Sequence, residues 1–292
     1  GALYLQESRE ETAGGFDFAG FLLAAAGLAS LLYALSQGPD KGWLSPGVAV
    51  TLGAGISMLV ALGIVETRIA EPMLALRLYR DRMFRNSNTI NSLSYGGFAA
   101  FLFLLPQFLQ GTLGYSPLRS GLTTFPQAVG VILASQIVGR LYHTVGPRKL
   151  VTFGLAMTTL VMVPFLTIAV DVSPWTIRGL MFARGLFMAC SFVPLQASTY
   201  ANIAKPDTGR ASAIFSTQRQ ASAAVGVAIL STLFISRRNS LAGSGAPTQG
   251  MIMDSFHLAF LGTLVMSALA AGFAWFFIKD ADAASTMHPR VK

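Results

Sequence analysis

Three arginines, Arg178, Arg184 and Arg219, stand inside stretches that are otherwise strongly apolar, and these are the residues of the chain best placed to do chemistry. Arg184 falls about ten residues into the run 175–201, so at about 1.5 Å per residue its guanidinium is expected near the middle of a bilayer. A charge at that depth costs at least a few kcal/mol, which directs it toward a bundle interior, a water-filled cavity or a partner. Arg219 is flanked by Gln218 and Gln220 and preceded by Ser216 and Thr217, the most polar patch in any apolar run. Arg178, one turn in from Trp175, is close enough to a membrane surface to extend its head into water. The acids Asp17, Glu66, Asp171 and Asp254 all fall at the edges of apolar runs. Compensation for the deep arginines is therefore expected, in this order, from a carboxylate outside the chain, from carbonyls freed at prolines, or from an anionic ligand. A permanently buried arginine satisfied by carbonyls competes with a functional one, about evenly at Arg219 and less so at Arg184.

Gln107, Gln110, Gln127, Gln136 and Gln196, with Asn88 and Asn91, are uncharged candidates for lining a path, although singly each reads as an interhelical hydrogen bond. Asp254 and His257 stand three apart on one helical face, as a proton-sensitive pair or as an N-cap beside an interfacial histidine. His143, His257 and His288 lie in different connectors or run ends, and the sequence holds no HExxH, GxSxG or phosphate-cradling loop. Neither an enzyme nor a metal or other cofactor is expected.

The elements that must position these residues follow from composition. The chain of 292 residues is 53% hydrophobic and only 12% charged, with a mean hydropathy of +0.56, against about 25% charged in soluble globules. It reads as an integral membrane protein, so the net charge of +8 points to basic loops rather than to nucleic acid. Runs long enough to span about 30 Å of hydrocarbon occur at 18–36, 47–65, 86–110, 119–141, 150–170, 175–201, 212–236 and 255–278. Eight crossings leave Arg9, Arg68, Arg77, Arg80, Arg82, Arg85, Arg140, Arg148, Lys149, Lys205, Arg210, Lys279, Arg290 and Lys292 on one side. Lys41, Arg119, Arg237 and Arg238 fall on the other, and the bias makes the first side, with the C-terminus, cytoplasmic. The lone Cys190 allows no intrachain disulfide.

The first two runs are Leu/Ala/Gly-rich without an interior proline and read as peripheral helices. Pro106, Pro126, Pro164 and Pro194 are expected to break four of the other six, a feature of bundles that move. Small residues in 212–236, including the pairs Ser222/Gly226 and Ala224/Ala228, predict close helix approach. The opening Gly1–Leu5 followed by a charged stretch reads as the stub of an upstream helix, so the chain is expected to be the C-terminal portion of something longer.

Between two of the runs lies Gly139-Arg-Leu-Tyr-His-Thr-Val-Gly-Pro-Arg-Lys149, in which Gly139 and Gly146 permit a reversal and Pro147 stops a helix. It resembles the loop signature of the major facilitator superfamily, Gly-x-x-x-Asp-Arg-x-Gly-x-Arg-Lys, at Gly139, Gly146, Arg148 and Lys149, and departs from it at His143 and Thr144. The signature's charge relay is therefore not carried over with it. Phe16-Asp17-Phe18-Ala19-Gly20, Glu71-Pro72-Met73 with Leu76–Tyr79, and Pro106–Gln110 followed by Gly114–Pro117, Gly121 and Pro126 look like the fourteen-helix drug/proton antiporters of the EmrB/QacA type. Arg184-Gly185 with Pro194-Leu195 and Arg219-Gln220 with Gly226–Ala228 do so too.

That resemblance covers essentially the whole chain. It implies an all-α integral membrane fold of eight transmembrane helices: a connector with the helix stub (1–16), two linker helices (17–66), a connector (67–85), a C-terminal six-helix bundle (86–279) and a cytoplasmic tail (280–292). It implies one wall of a plasma-membrane transporter, in a bacterial inner membrane, that exports drugs or amphiphiles in exchange for protons by alternating access, with the proton-coupling acids in an N-terminal half. Arg184, Arg219, Gln110, Gln220, Gln127 and Gln196 are then the cavity candidates, and Gly139, His143, Gly146, Arg148 and Lys149 the conformational loop. The partners are lipid, a small-molecule substrate, protons and the N-terminal half, with room for a periplasmic adaptor and an outer-membrane channel. Export of one specific metabolite, or a truncated membrane remnant that transports nothing, are the competing readings.

Overall fold

The computed structural model describes residues 17–66, 68, 75–243 and 245–287, and within them the chain is helical with short connectors. The Gly1 stub, Phe16, Glu71-Pro72-Met73, His288 and the basic residues Arg9, Arg290 and Lys292 lie outside the described residues. Helix α1 (Phe18–Lys41) starts on Asp17, whose Oδ1 accepts the Gly20 N–H at 2.8 Å, and α2 (Pro46–Glu66) runs back beside it. Then follow α3 (Arg82–Gln107), α4 (Pro117–Thr124), α5 (Pro126–Val145), α6 (Pro147–Met162), α7 (Pro174–Thr199), α8 (Thr208–Ala242), α9 (Gln249–Phe277) and the short α10 (Ala284–Met287). Eight helical stretches among the described residues, with α4 and α5 together forming one, are long and apolar enough to cross a membrane. They match the eight runs expected from the sequence, α8 being longer at both ends and α9 at its start, where Ala, Arg, Leu, Gln and Met, all good helix formers, flank the apolar runs.

In a bilayer the hydrophobic effect does little to join helix to helix, so close van der Waals packing must do it. Several of the main contacts here rest on glycine. A Cβ on Gly226 of α8 would run into the Gly96 carbonyl of α3, and one on Gly154 of α6 would sit 2.6 Å from the Ser191 nitrogen of α7. The Ser222/Gly226 pair thus forms the α3–α8 contact that its spacing predicts. Around these contacts Phe101, Phe108, Phe165, Phe256 and Phe260 interlock largely edge to face at one end of the bundle. Met83, Ile90, Val151, Leu195 and Ile278 fill the other end. Val50, Ile132, Leu160 and Phe276 remain exposed on the outside, as lipid-facing side chains should be.

The prolines act differently from one another. Pro126 occupies the first turn of α5, where a missing N–H costs nothing, and divides the fourth crossing near its start. Pro164 lies in the 3₁₀ turn Val163–Leu166 that ends the fifth crossing, not well inside a helix. Pro106 falls in the last turn of α3, which passes into a π-helical turn, Phe108–Thr112. Only Pro194 stands deep within a helix that continues past it.

Candidate functional site

Arg184 is 2% exposed, the largest fully buried side chain among the described residues. Its Nη1 donates to Gln127 Oε1 at 3.1 Å, and its guanidinium lies 4.3 Å from the Phe101 ring centre and 5.3 Å from that of Phe98. Nε has no hydrogen-bond partner. A neutral amide and two ring faces thus take the place of the carboxylate, carbonyl or anion expected for it, and cation–π contacts are strongest where water is excluded. The α5–α7 crossing enforces this arrangement: a Cβ on Gly185 would collide with the Gln127 carbonyl, and one on Gly130 with that of Phe182. Beside Arg184 is a small void of about 20 Å³ whose lining includes Ser94, Thr158, Ser191, Thr263 and Ser267, room for a single water.

Arg219 is half-buried and stacks at 4.1 Å over Tyr95, with no hydrogen-bond or ion-pair partner among the described residues. Tyr95 in turn meets Phe98 and Phe192, 5.5 and 6.1 Å between ring centres, and these two rings meet each other at 5.9 Å. Arg219 and Arg184 therefore rest on different rings of one aromatic cluster. Tyr95, Phe98 and Phe101 are not among the candidates named from sequence, although their i, i+3, i+6 spacing on one helix is a usable signal.

The remaining candidates separate. Gln127 joins Arg184, whereas Gln110, in the π turn, and Gln196, on α7, are exposed and touch neither arginine. Gln220 is exposed and lines a cleft among α1, α3 and α8. Gln218 has a structural role, tying Tyr79 and Ser92 with its amide. Arg178 stacks on Trp175 at 4.6 Å, as its position near a span end predicts. His257 Nε2 donates to the Ile168 carbonyl at 2.9 Å and no ion pair joins it to Asp254 among the described residues, so the Asp254/His257 pair does not form; nor is Asp254 an N-cap, since Thr248 caps α9 and Asp254 lies within it.

In the loop segment, α5 runs helically through Gly139 and turns only at Gly146, whose φ of 85° is accessible to glycine at little cost. Gly139 is exposed with nothing near its missing Cβ, so one glycine makes the reversal rather than two. Arg148 N–H, at the start of α6, donates to Asp280 Oδ1 at 2.9 Å, while its Nε donates to the Trp275 carbonyl and its guanidinium covers the Trp275 ring at 4.4 Å. His143 pairs with the Met287 carbonyl at 3.1 Å, and Lys149 is exposed. The segment 280–287 is thus clasped to the loop.

Bilayer-length helices packed on glycines around a buried arginine define an integral membrane helix bundle. The Major Facilitator Superfamily model matches residues 87–289, and the chain belongs to that family. It is 30% identical over 238 residues to "Multidrug resistance protein B homolog" of Mycobacterium tuberculosis, covering 80% of this chain and 44% of that protein. It is 30% identical over 267 residues to "Puromycin resistance protein pur8" of Streptomyces alboniger, 87% of this chain and 53% of the relative. Against "Multidrug export protein EmrB" of Escherichia coli K12 the identity is 28% over 228 residues, 76% and 44% of the two chains. The chain spans about half the length of the curated relatives it matches.

Proposed function

We propose that this chain forms one wall of a secondary active transporter that exports drugs or amphiphilic small molecules in exchange for protons, the two halves rocking about a central cavity. The observation that carries the reading is Arg219: a cation inside a span, half-buried on Tyr95, with its hydrogen-bond donors unclaimed by any described residue. Such a group is costly unless a ligand or an opposing wall completes it. The resistance and export names of the relatives support the substrate class. In this reading α1 and α2 are the linker pair, α3 to α9 the six-helix bundle, and the coupling acids belong to an N-terminal half. A periplasmic adaptor and an outer-membrane channel are proposed as partners on the EmrB-type resemblance alone.

The test is efflux by the full-length transporter at equal expression. Arg219→Ala and Tyr95→Leu are expected to lower export, with Tyr95→Phe preserving it because the ring face remains. Unchanged resistance and efflux in both Arg184→Ala and Arg219→Ala would defeat the site. The loop-segment end of the bundle is proposed to be cytoplasmic, in a bacterial inner membrane, because Arg140, Lys149, Lys205, Arg210 and Lys279 crowd there. A tag in the connector between α8 and α9 should then be labelled from outside, and one after Met287 only from inside.

A further inference from the structure

A cleft of about 550 Å³ opens between α1 and the bundle, with α8 as its floor and α1 and α3 as its walls. Its volume is within the range of about 300–1,000 Å³ typical of ligand sites. Its floor is a single stripe of α8 with three- and four-residue spacing from Gln220 to Arg238, about 27 Å long by helical rise. Along most of that length Leu32, Leu35, Phe103 and Val227 make it apolar.

One end is different. Asp40 from α1 and Arg238 from α8 both line the cleft there, and neither forms an ion pair with any described residue. Deeper along the floor Ser231 is 8% exposed, lines the cleft, and has a hydroxyl with no hydrogen-bond partner. The end with Asp40 is also fixed at a definite depth. Trp43 folds back over Gly38, where a Cβ would sit 2.6 Å from the indole ring, and donates Nε1 to Thr232 Oγ1 at 3.1 Å. A tryptophan at a span end marks the headgroup level of a bilayer. An acid and a base left apart at headgroup depth, a buried hydroxyl just below them, and an apolar channel running toward the membrane centre describe a complement to one molecule.

We propose that this cleft binds a glycerophospholipid with a phosphoethanolamine headgroup. Its ammonium would go to Asp40, its phosphate to Arg238, an ester oxygen to the Ser231 hydroxyl, and an acyl chain to the α8 stripe. An ammonium can donate hydrogen bonds to a carboxylate where a trimethylated choline cannot, and an anionic glycerol headgroup offers Asp40 no cation. The bound lipid would add to the direct packing of α1 on α8 and to the Trp43 hydrogen bond that already join α1 to the bundle.

The experiment is a lipid titration of the detergent-purified protein followed by native mass spectrometry. It uses phosphatidylethanolamine, phosphatidylcholine and phosphatidylglycerol with identical acyl chains. Wild type should retain phosphatidylethanolamine over the other two. Asp40→Asn should weaken that binding by about tenfold while leaving phosphatidylglycerol unchanged, and Arg238→Gln should weaken all three, as expected for loss of one charge-assisted contact. Arg237→Gln, whose side chain does not line the cleft, should change none. Equal retention of the three lipids by wild type would overturn the proposal. So would phosphatidylethanolamine binding indifferent to both Asp40→Asn and Arg238→Gln, the result expected if a protein helix fills the cleft. No transport is measured, so the outcome is independent of what the protein exports.

Discussion

Gln127 and Arg184 meet across the α5–α7 crossing, amide oxygen to guanidinium at 3.1 Å, in a place where no carboxylate approaches among the described residues. The glycines beside each of them set the geometry. Because a buried cation keeps its full desolvation cost when a partner is lost, Gln127→Leu should destabilise the bundle by about 1–3 kcal/mol. The double variant Gln127→Leu/Arg184→Met removes both polar groups and should recover part of the loss. Thermal unfolding in detergent reads both, and a Gln127→Leu protein that melts like wild type would mean the pair stabilises nothing.

Glycine substitutions should separate by what a methyl group would meet. Gly185→Ala and Gly226→Ala force backbones apart, because the obstructing atoms are main-chain carbonyls that have nowhere to move. Each is expected to cost about 1–3 kcal/mol or more, as overpacking does. Gly139→Ala has open space in a helix interior and should instead stabilise by about 0.5–1 kcal/mol. Melting temperatures of the three variants test this ordering, and a destabilised Gly139→Ala would contradict the helical position of that residue.

Span positions were legible because a membrane demands some twenty apolar residues regardless of tertiary detail, and so all eight crossings could be located. The depth of Arg184 was legible for the same reason. Its partner was not, because Gln127 is 57 residues away and reaches it only through the Gly130 and Gly185 contacts, which periodicity does not encode. The role of Gly139 is not legible, since a glycine in the middle of a helix and one at its end look alike in sequence, and only the φ of Gly146 tells them apart. Asp280 was invisible as a loop residue, being 132 positions from Arg148.

Tyr79 supplies a pH test outside the spans. It lies in the 3₁₀ turn Leu76–Arg80 and donates its hydroxyl to Gln218 Oε1, and burial raises its phenol above the ordinary value of 10.0. A raised folded value means the folded state holds the proton longer than the unfolded one. The contribution is therefore complete below pH 10 and is lost as pH climbs through the folded value. Tm should fall above about pH 10 more steeply in wild type than in Tyr79→Phe, which has no proton to lose. Parallel curves would show that this phenol is not linked to folding.

Asp280 closes the clasp on the loop through the Arg148 N–H. The superfamily signature carries an acid within the loop, and here that place is taken by His143. A carboxylate nevertheless stands at the N-terminus of α6, delivered from beyond the end of α9 onto the Arg148 N–H, where the helix dipole favours negative charge. Tyr142 to Thr286 at 2.6 Å and Ser285 to the Ala201 carbonyl at 2.6 Å hold the same segment from two more sides. Asp280→Asn retains the size and an acceptor oxygen but loses the charge, and should loosen the clasp by about 0.5–1 kcal/mol. Asp280→Ala removes the acceptor as well and should cost about 1–3 kcal/mol. Hydrogen exchange over residues 142–150 and 280–287 should then quicken in that order, with exchange in the aromatic core around Phe101 unchanged. Because a Cβ on Gly146 would sit 2.7 Å from Asp280 Oδ1 and φ there is positive, Gly146→Ala should open the same two segments without touching any charge. Should Asp280→Ala exchange like wild type while Gly146→Ala does not, the loop would be held by its backbone turn alone and the carboxylate would have no part in it.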